Sequence, residues 1–334
     1  MAASAGENFI TWHSRPKAAS GFGTWSDPGI DHGELAIVMQ GPVTTSDAFS
    51  LESMRLYAAH MPGARRILST WDDTEPSTVD QFRSEGCDVV LSSKPKVPGL
   101  FNVNMQIVSA AAGMRRAQEA GAKWAFKTRV DQRLCAANVF AYSRALCEAF
   151  PVVPGFAQKH RIVGVGRGSL KYCPYHLTDQ AVFGHMDDMV TYWNAPLRTD
   201  APPSHWPEGI GTIFHQAPIG ELCRHGAAES YLASSFLSRV GRELKWTLED
   251  SWAAFRDHFS IADTGLVDLY WYKVQYDTNA EFDREYACID NRREIDFKEW
   301  LLLVTGAIEP ESARQFESAL QTTFTNPIQR PEPT

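Results

Sequence analysis

The chain has 334 residues, 44% hydrophobic and 22% charged, with a formal charge of −8. It is too apolar for a disordered chain, and too acidic for one whose main partner is nucleic acid, which needs a basic face. The length holds one large α/β domain or two smaller ones.

Residues 1–32 carry Gly21, Gly23, Pro28 and Gly29 without periodicity and read as a loose arm. The opening MAASAGENFITWHSRPK lacks the apolar core of a secretory leader. Leu35 to Met39 give a first strand, stopped by Gln40-Gly41-Pro42, and Leu51, Met54 and Ala58 then show helical spacing up to Pro62. Arg66 to Trp71 form a second strand that ends at Asp72-Asp73. A helix with Val79 and Phe82 follows, ending at Gly86. Asp88 to Leu91 are a third strand, closed by Ser92-Ser93-Lys94-Pro95. The longest helix sets Val103, Ile107, Ala110, Ala111, Met114 and Ala117 on one face before Gly121. A fourth strand, Trp124 to Val130, ends at Asp131.

Repeated strand-then-helix units predict a mainly parallel sheet covered on both faces. Ligands of such sheets bind at the carboxyl ends of the strands. Gln40-Gly41-Pro42, Trp71-Asp72-Asp73, Ser92-Ser93 and Asp131 should therefore share one crevice.

Beyond Asp131 the pattern loosens. Helices are expected over 137–149, 187–194 and 229–240, and strands over Arg161 to Val165 and within Tyr172 to Phe183. Tyr172, Tyr175, Phe183, Tyr192, Trp193 and Trp206 either line a ring-bearing acceptor or, more commonly, pack the core. Trp300 to Val304 is the longest apolar run near the C-terminus, far short of the ~20 residues that cross a bilayer. The six cysteines form no Cys-x-x-Cys pair and read as buried free thiols. Asn326 to Thr334 reads as a frayed tail.

The chemistry concentrates at Lys127-Thr-Arg129-Val-Asp131-Gln-Arg133, which sets an acid between two arginines at a strand end. A carboxylate there suits a divalent cation on a diphosphate, with the arginines meeting the same phosphates. A surface ion-pair cluster is the plainer alternative. Gly164-Val-Gly166-Arg-Gly168-Ser169 is not a dinucleotide turn, because Ser169 takes the third glycine's place and no helix is expected after it. His176, His185, His205, His215 and His225 make no zinc-hydrolase spacing. Asp179, at the edge of an apolar run, and Glu229, at the start of an expected helix, are candidate bases. A turn-forming Asp and a first-turn Glu are the alternatives.

Five strings occur in order: Ile37-Val-Met-Gln-Gly-Pro-Val43, Ile67-Leu-Ser-Thr-Trp71, Asn102-Val-Asn-Met-Gln-Ile-Val-Ser109, Lys127-Thr-Arg-Val-Asp131 and Pro174-Tyr-His-Leu-Thr-Asp179. Together they resemble the WavE family of lipopolysaccharide-synthesis proteins, which look like GT-A-type glycosyltransferases. The resemblance implies an α/β, GT-A-like (Rossmann-related) fold. Residues 33–265 would form the domain, with a nucleotide-sugar half 33–135 and an acceptor half 136–265. An extension over 266–325 would pack on it, followed by a tail over 326–334.

It further implies transfer from a nucleotide-diphosphate sugar to a glycan or lipid-linked acceptor. Gln40, Gly41, Pro42, Thr70, Trp71, Asn104, Gln106, Arg129 and Asp131 match the donor-binding positions, with Asp131 at the Asp-x-Asp metal motif. Arg129 replaces one carboxylate of that motif, which puts dependence on Mn²⁺ or Mg²⁺ in question. Glu229 matches the base of inverting members, Asp179 gains interest in a retaining enzyme, and His258 is the candidate late metal ligand. A lipid-linked acceptor would bring a cytoplasmic enzyme to the inner membrane face, although no strongly basic amphipathic helix marks the chain. A nucleotidyltransferase and a non-catalytic glycan-binding scaffold are the rival readings. The first would show a glycine-rich basic loop after strand one; the second would need no diphosphate site.

Overall fold

The computed structural model describes residues 15–23, 31–272 and 294–324. Strands β1 (Leu35–Gln40), β2 (Arg65–Trp71), β3 (Asp88–Ser92) and β4 (Trp124–Arg129) alternate with helices α1 (Phe49–His60), α2 (Pro76–Ser84) and α3 (Val103–Glu119). Every residue of β1 is buried, as a strand covered on both faces requires. Pro76 opens α2, where its missing N–H is one that no helical carbonyl would have met. Helix α3 lies so close to the sheet at Gly113 that a Cβ there would sit 2.3 Å from Val38 Cγ1.

The remaining strands are β5 (Gln132–Leu134), β6 (Ile162–Val165), β7 (Val182–His185), β8 (Phe259–Ala262) and β9 (Leu269–Trp271). The helices between and after them are α4 (Val139–Ala149), α5 (Met186–Trp193), α6 (Ile210–Gln216), α7 (Ile219–His225), α8 (Ala228–Arg239), α9 (Leu248–His258), α10 (Thr264–Val267) and α11 (Phe297–Val304). A 3₁₀ helix over Pro310–Gln321 follows. The main sheet has the order β3-β2-β1-β4-β7-β6-β8, and β5 pairs with β9 in a small second sheet. Within the main sheet β7 alone runs antiparallel. The chain is thus a mixed α/β protein with a mainly parallel sheet and a Rossmann-like layout.

The expected strand within Tyr172 to Phe183 begins only at Val182. Residues before it form a turn-rich loop, with a lone bridge between Leu170 and His176 and Tyr175 at φ 54°. Tyr172, Tyr175, Phe183, Tyr192, Trp193 and Trp206 are all buried, so they pack the interior. Ile295, Trp300, Leu303, Ala313 and Leu320 share one continuous core with β1 and β4. Trp300 Nε1 donates to the Phe259 carbonyl at 2.9 Å, tying α11 to the start of β8. Cys87, Cys135, Cys147, Cys173 and Cys223 are buried free thiols; Cys288 and the 326–334 tail lie outside the described residues. No described helix is long and apolar enough to cross a membrane.

The strand order positions the site. From β1 the chain moves outward to β2 and β3, then returns through α3 to place β4 on the other side of β1. Loops leaving the carboxyl ends of β1 and β4 therefore diverge, and a crevice opens between them.

Candidate functional site at the β1–β4 switch point

Two adjoining cavities occupy this crevice. One, of about 490 Å³, is lined by Gln40, Gly41, Pro42, Trp71, Gln106, Arg129 and Asp131, among others. Gly41 leaves β1 at φ 122°, a conformation L-residues seldom adopt, and a Cβ there would stand 3.2 Å from Val130 Cγ2. The bare backbone lets the two strand-end loops come together. Ser50 Oγ fixes the second loop by donating to the Val130 carbonyl at 2.7 Å. Gln106 faces both cavities, and its buried Oε1 has no hydrogen-bond partner among the described residues.

Arg129 stands on the wall between the cavities. Its Nε and Nη2 donate to the two oxygens of Asp131 at 3.0 and 3.2 Å, and its Nη1 lies 3.8 Å from Asp179 Oδ2. Burial alone would weaken the guanidinium's hold on its proton, but the Asp179 and Asp131 carboxylates outweigh it and raise the pKa. The result is a firmly charged, planar donor on the crevice wall, of a kind suited to a phosphate group.

The second cavity, about 630 Å³, is lined by His176, Asp179, Gln180, Glu229, Phe101, Phe214 and Trp271 together with Arg129. Glu229 stands in the first turn of α8 with 29% of its side chain exposed to the cavity. Burial pushes its pKa up; His176 draws it down, and the Asp179 charge raises it again. His176 Nδ1 lies 3.1 Å from the Gly168 carbonyl, which can only accept, so that nitrogen carries the proton. The Nε2 of the same ring lies 3.6 Å from Glu229 Oε2.

Beneath the cavity floor Lys127, wholly buried on β4, donates to the Asp179 carbonyl and rests 4.6 Å from the Trp193 ring centre. Burial depresses its pKa to about 8 against the attraction of Asp179. The site therefore joins two cations, Lys127 and Arg129, to three carboxylates, Asp131, Asp179 and Glu229.

Several expected residues stand elsewhere. Thr70 is wholly buried and bonded to Thr74 rather than exposed to the crevice. Asn104 faces away from the smaller cavity: its amide donates to the Val97 and Arg198 carbonyls and accepts from Arg198 N, clamping two loops. Arg133 turns from Asp131 to donate to Ser53 Oγ and to the carbonyls of Phe49, Pro16 and Lys17. Asp72 is bonded to Ser93 and Asp73 to Lys94 at the same sheet edge, but neither aspartate lines the cavity.

The expected metal set is not assembled. His258 precedes β8, at the amino end of the parallel strands, whereas Asp131 follows their carboxyl ends. It is fully buried, with Nδ1 2.7 Å from Gln158 Oε1, and burial lowers its pKa to about 4. Asp131 is 3% exposed, and Trp271 Nε1 joins Arg129 in donating to it, at 3.1 Å. A carboxylate so enclosed by N–H donors is a poor fit for a cation needing open oxygens.

Sequence reasoning passed over Trp271, His176, Gln180 and Phe101. Trp271 reaches Asp131 only because β9 pairs with β5, a contact no local spacing announces. His176 stands within a string already singled out, three residues before Asp179.

A Rossmann-like sheet with a crevice at its switch point, where Arg129 meets Asp131 and Asp179, defines a mixed α/β protein with a charged candidate site. The sequence pattern of the WavE lipopolysaccharide synthesis family matches residues 35–257, and the chain belongs to that family. Its role is in lipopolysaccharide synthesis, where sugars and glycans are the substrates. None of the curated proteins matches the chain.

Proposed function

We propose that the protein is a GT-A-type glycosyltransferase, moving a sugar from a nucleotide-diphosphate sugar to a glycan or lipid-linked acceptor in surface-polysaccharide synthesis. The observation that carries this is Arg129, held charged between two cavities of unlike lining. The nucleoside lies against Gln40, Gly41, Pro42 and Trp71, and the diphosphate meets Arg129 and Gln106. The acceptor enters the larger cavity beside Glu229.

In this reading Glu229 removes the acceptor hydroxyl proton as the oxygen attacks the anomeric carbon, and nucleoside diphosphate leaves with inversion. Arg129 stabilises the negative charge that grows on the leaving phosphate, in a site preorganised by Asp131 and Asp179. Asp179 is a positioning residue here, near enough to Arg129 and bonded through its carbonyl to Lys127. No step is routed through a cation, because the carboxylate that would hold it is already engaged. The enzyme works on the cytoplasmic side, where activated sugars are made, and meets a lipid-linked acceptor at the inner membrane face.

Calorimetric titration with UDP, GDP and CMP, with and without Mn²⁺, tests the reading. One nucleoside diphosphate should bind even in the absence of Mn²⁺, and Arg129→Ala should weaken it about tenfold or more, the loss of one charge-assisted contact. Binding of none of them would favour a glycan-binding scaffold.

A further inference from the structure

At the opposite edge of the sheet, His160, His185 and Asp188 each present one ligand atom within 4.8 Å of the others. We propose that these three residues form a second site, one for a transition-metal dication of the Zn²⁺ class. The site is independent of the nucleotide crevice: Trp124 and His185 pair across β4 and β7 at the amino end of β4, whereas Asp131 follows its carboxyl end.

Two chain segments build it. His185 closes β7 and caps α5, Asp188 follows in the first turn of α5, and His160 comes from the loop before β6. The loop is locked to the helix because Asp188 accepts from the backbone N–H groups of Lys159 and His160 at 3.0 and 2.8 Å. These bonds leave lone pairs on the carboxylate. The two imidazoles stack, with centres 5.0 Å apart and planes 25° from parallel, and Trp124 meets both edge-on at 5.1 and 5.4 Å. His160 Nδ1 is buried and has no hydrogen-bond partner among the described residues. An orphaned imidazole nitrogen beside a second imidazole and a carboxylate is unfavourable as it stands and is satisfied by a cation.

The donor set selects the ion. Two imidazoles and one carboxylate, with water in the remaining position, match zinc-type coordination and give an oxygen-preferring Mg²⁺ or Ca²⁺ little. Closing from within 4.8 Å to the ~3.3 Å edge of a tetrahedron with ~2.0 Å bonds requires the two imidazoles to turn out of their stack. His185 keeps 22% of its side chain exposed, which gives the ion a way in. Lys123 and Lys159 are close, but both reach into solvent and are paired with Glu34 and Asp187. Their repulsion is screened. A bound ion would pin the His160 loop to the β7–α5 junction, so this site is structural and stands apart from sugar transfer.

The test uses the full chain without nucleotide. Zn²⁺ is titrated by calorimetry, and Co²⁺ is followed by tryptophan fluorescence and by its visible ligand-field bands. The expected result is one equivalent of Zn²⁺ bound, Co²⁺ bands of a four-coordinate site with histidine ligands, and quenching of the part of the emission that Trp124→Phe removes. The His160→Gln and His185→Gln variants should each lower affinity at least tenfold while the far-UV spectrum is unchanged. An Asp131→Asn variant should bind Zn²⁺ as the wild type does. No stoichiometric binding, or affinity unchanged in both histidine variants, would overturn the proposal. Binding lost in Asp131→Asn but kept in the histidine variants would also overturn it, by placing the ion in the crevice.

Discussion

Lys127 and Glu229 show how single residues at this site trade stability for chemistry. Lys127 has a folded pKa of about 8 against an ordinary value of 10.5. Between those values the unfolded chain binds more protons than the folded one, so stability from this group rises with pH across that window. Wild type should therefore gain on the order of 3 kcal/mol relative to Lys127→Met between pH 7 and pH 10.5. Urea unfolding of both proteins at a series of pH values measures the difference; a constant gap would mean that Lys127 is solvated. Glu229 has the opposite sign. Its raised pKa means the protonated carboxyl stabilises the fold at acid pH, a contribution lost as pH rises above the ordinary 4.5 and through the raised value. Glu229→Gln should melt higher than wild type at pH 7 while turnover falls about 10²-fold or more and donor binding persists. An unchanged kcat would return Glu229 to the role of a first-turn helix residue. Asp131 stands out in the sequence as an acid between two arginines at a strand end. What its neighbours do is not legible there, because Arg133 turns away to Ser53 and Trp271 arrives from 140 positions along the chain.

At the scale of elements, the alternation of strands and helices from Leu35 to Arg129 is readable because β1 is a short continuous apolar run and α3 buries one periodic apolar face. The crevice followed from that alternation alone, since parallel strands send their loops to one edge. The reversed β7 was not readable, because four residues bear no sign of direction. Its reversal has a functional consequence. The segment before an antiparallel strand arrives at the carboxyl edge of its neighbours, which is how Asp179 and Gln180 come to lie beside Arg129. Helix α9 escaped notice for a different reason: buried Asp250, Asp257 and His258 interrupt its apolar pattern, with Arg242 and Gln158 as their partners. Gly113 tests the packing of α3 directly. Gly113→Ala puts a methyl group 2.3 Å from Val38 Cγ1 and 3.1 Å from Ser69 Cβ. Despite the better helix propensity of alanine, the variant should lose about 1–3 kcal/mol by overpacking. A thermal melt at or above that of wild type would contradict this placement of the helix.

For the molecule as a whole, a charge of −8 describes the surface and says nothing of the crevice, where Arg129 and Lys127 gather. The two edges of the sheet divide the work. Loops at the carboxyl edge form the ligand cavities, and the amino edge is closed by Trp124, His160, His185 and the buried His258. The residues after β8 complete the site from outside the region matched by the family pattern: Trp271, Glu294 and Phe324 all line the larger cavity. The claim that joins these features is that Arg129 carries the leaving diphosphate of an activated sugar. It is tested most directly by nucleoside-diphosphate release from a panel of UDP- and GDP-sugars, using wild type and Arg129→Ala. The account predicts release from one donor by the wild type and a rate at least ~100-fold lower in the variant, as for loss of an electrostatic stabiliser. A variant that turns over like wild type, or a wild type that neither binds nor hydrolyses any donor, would contradict it.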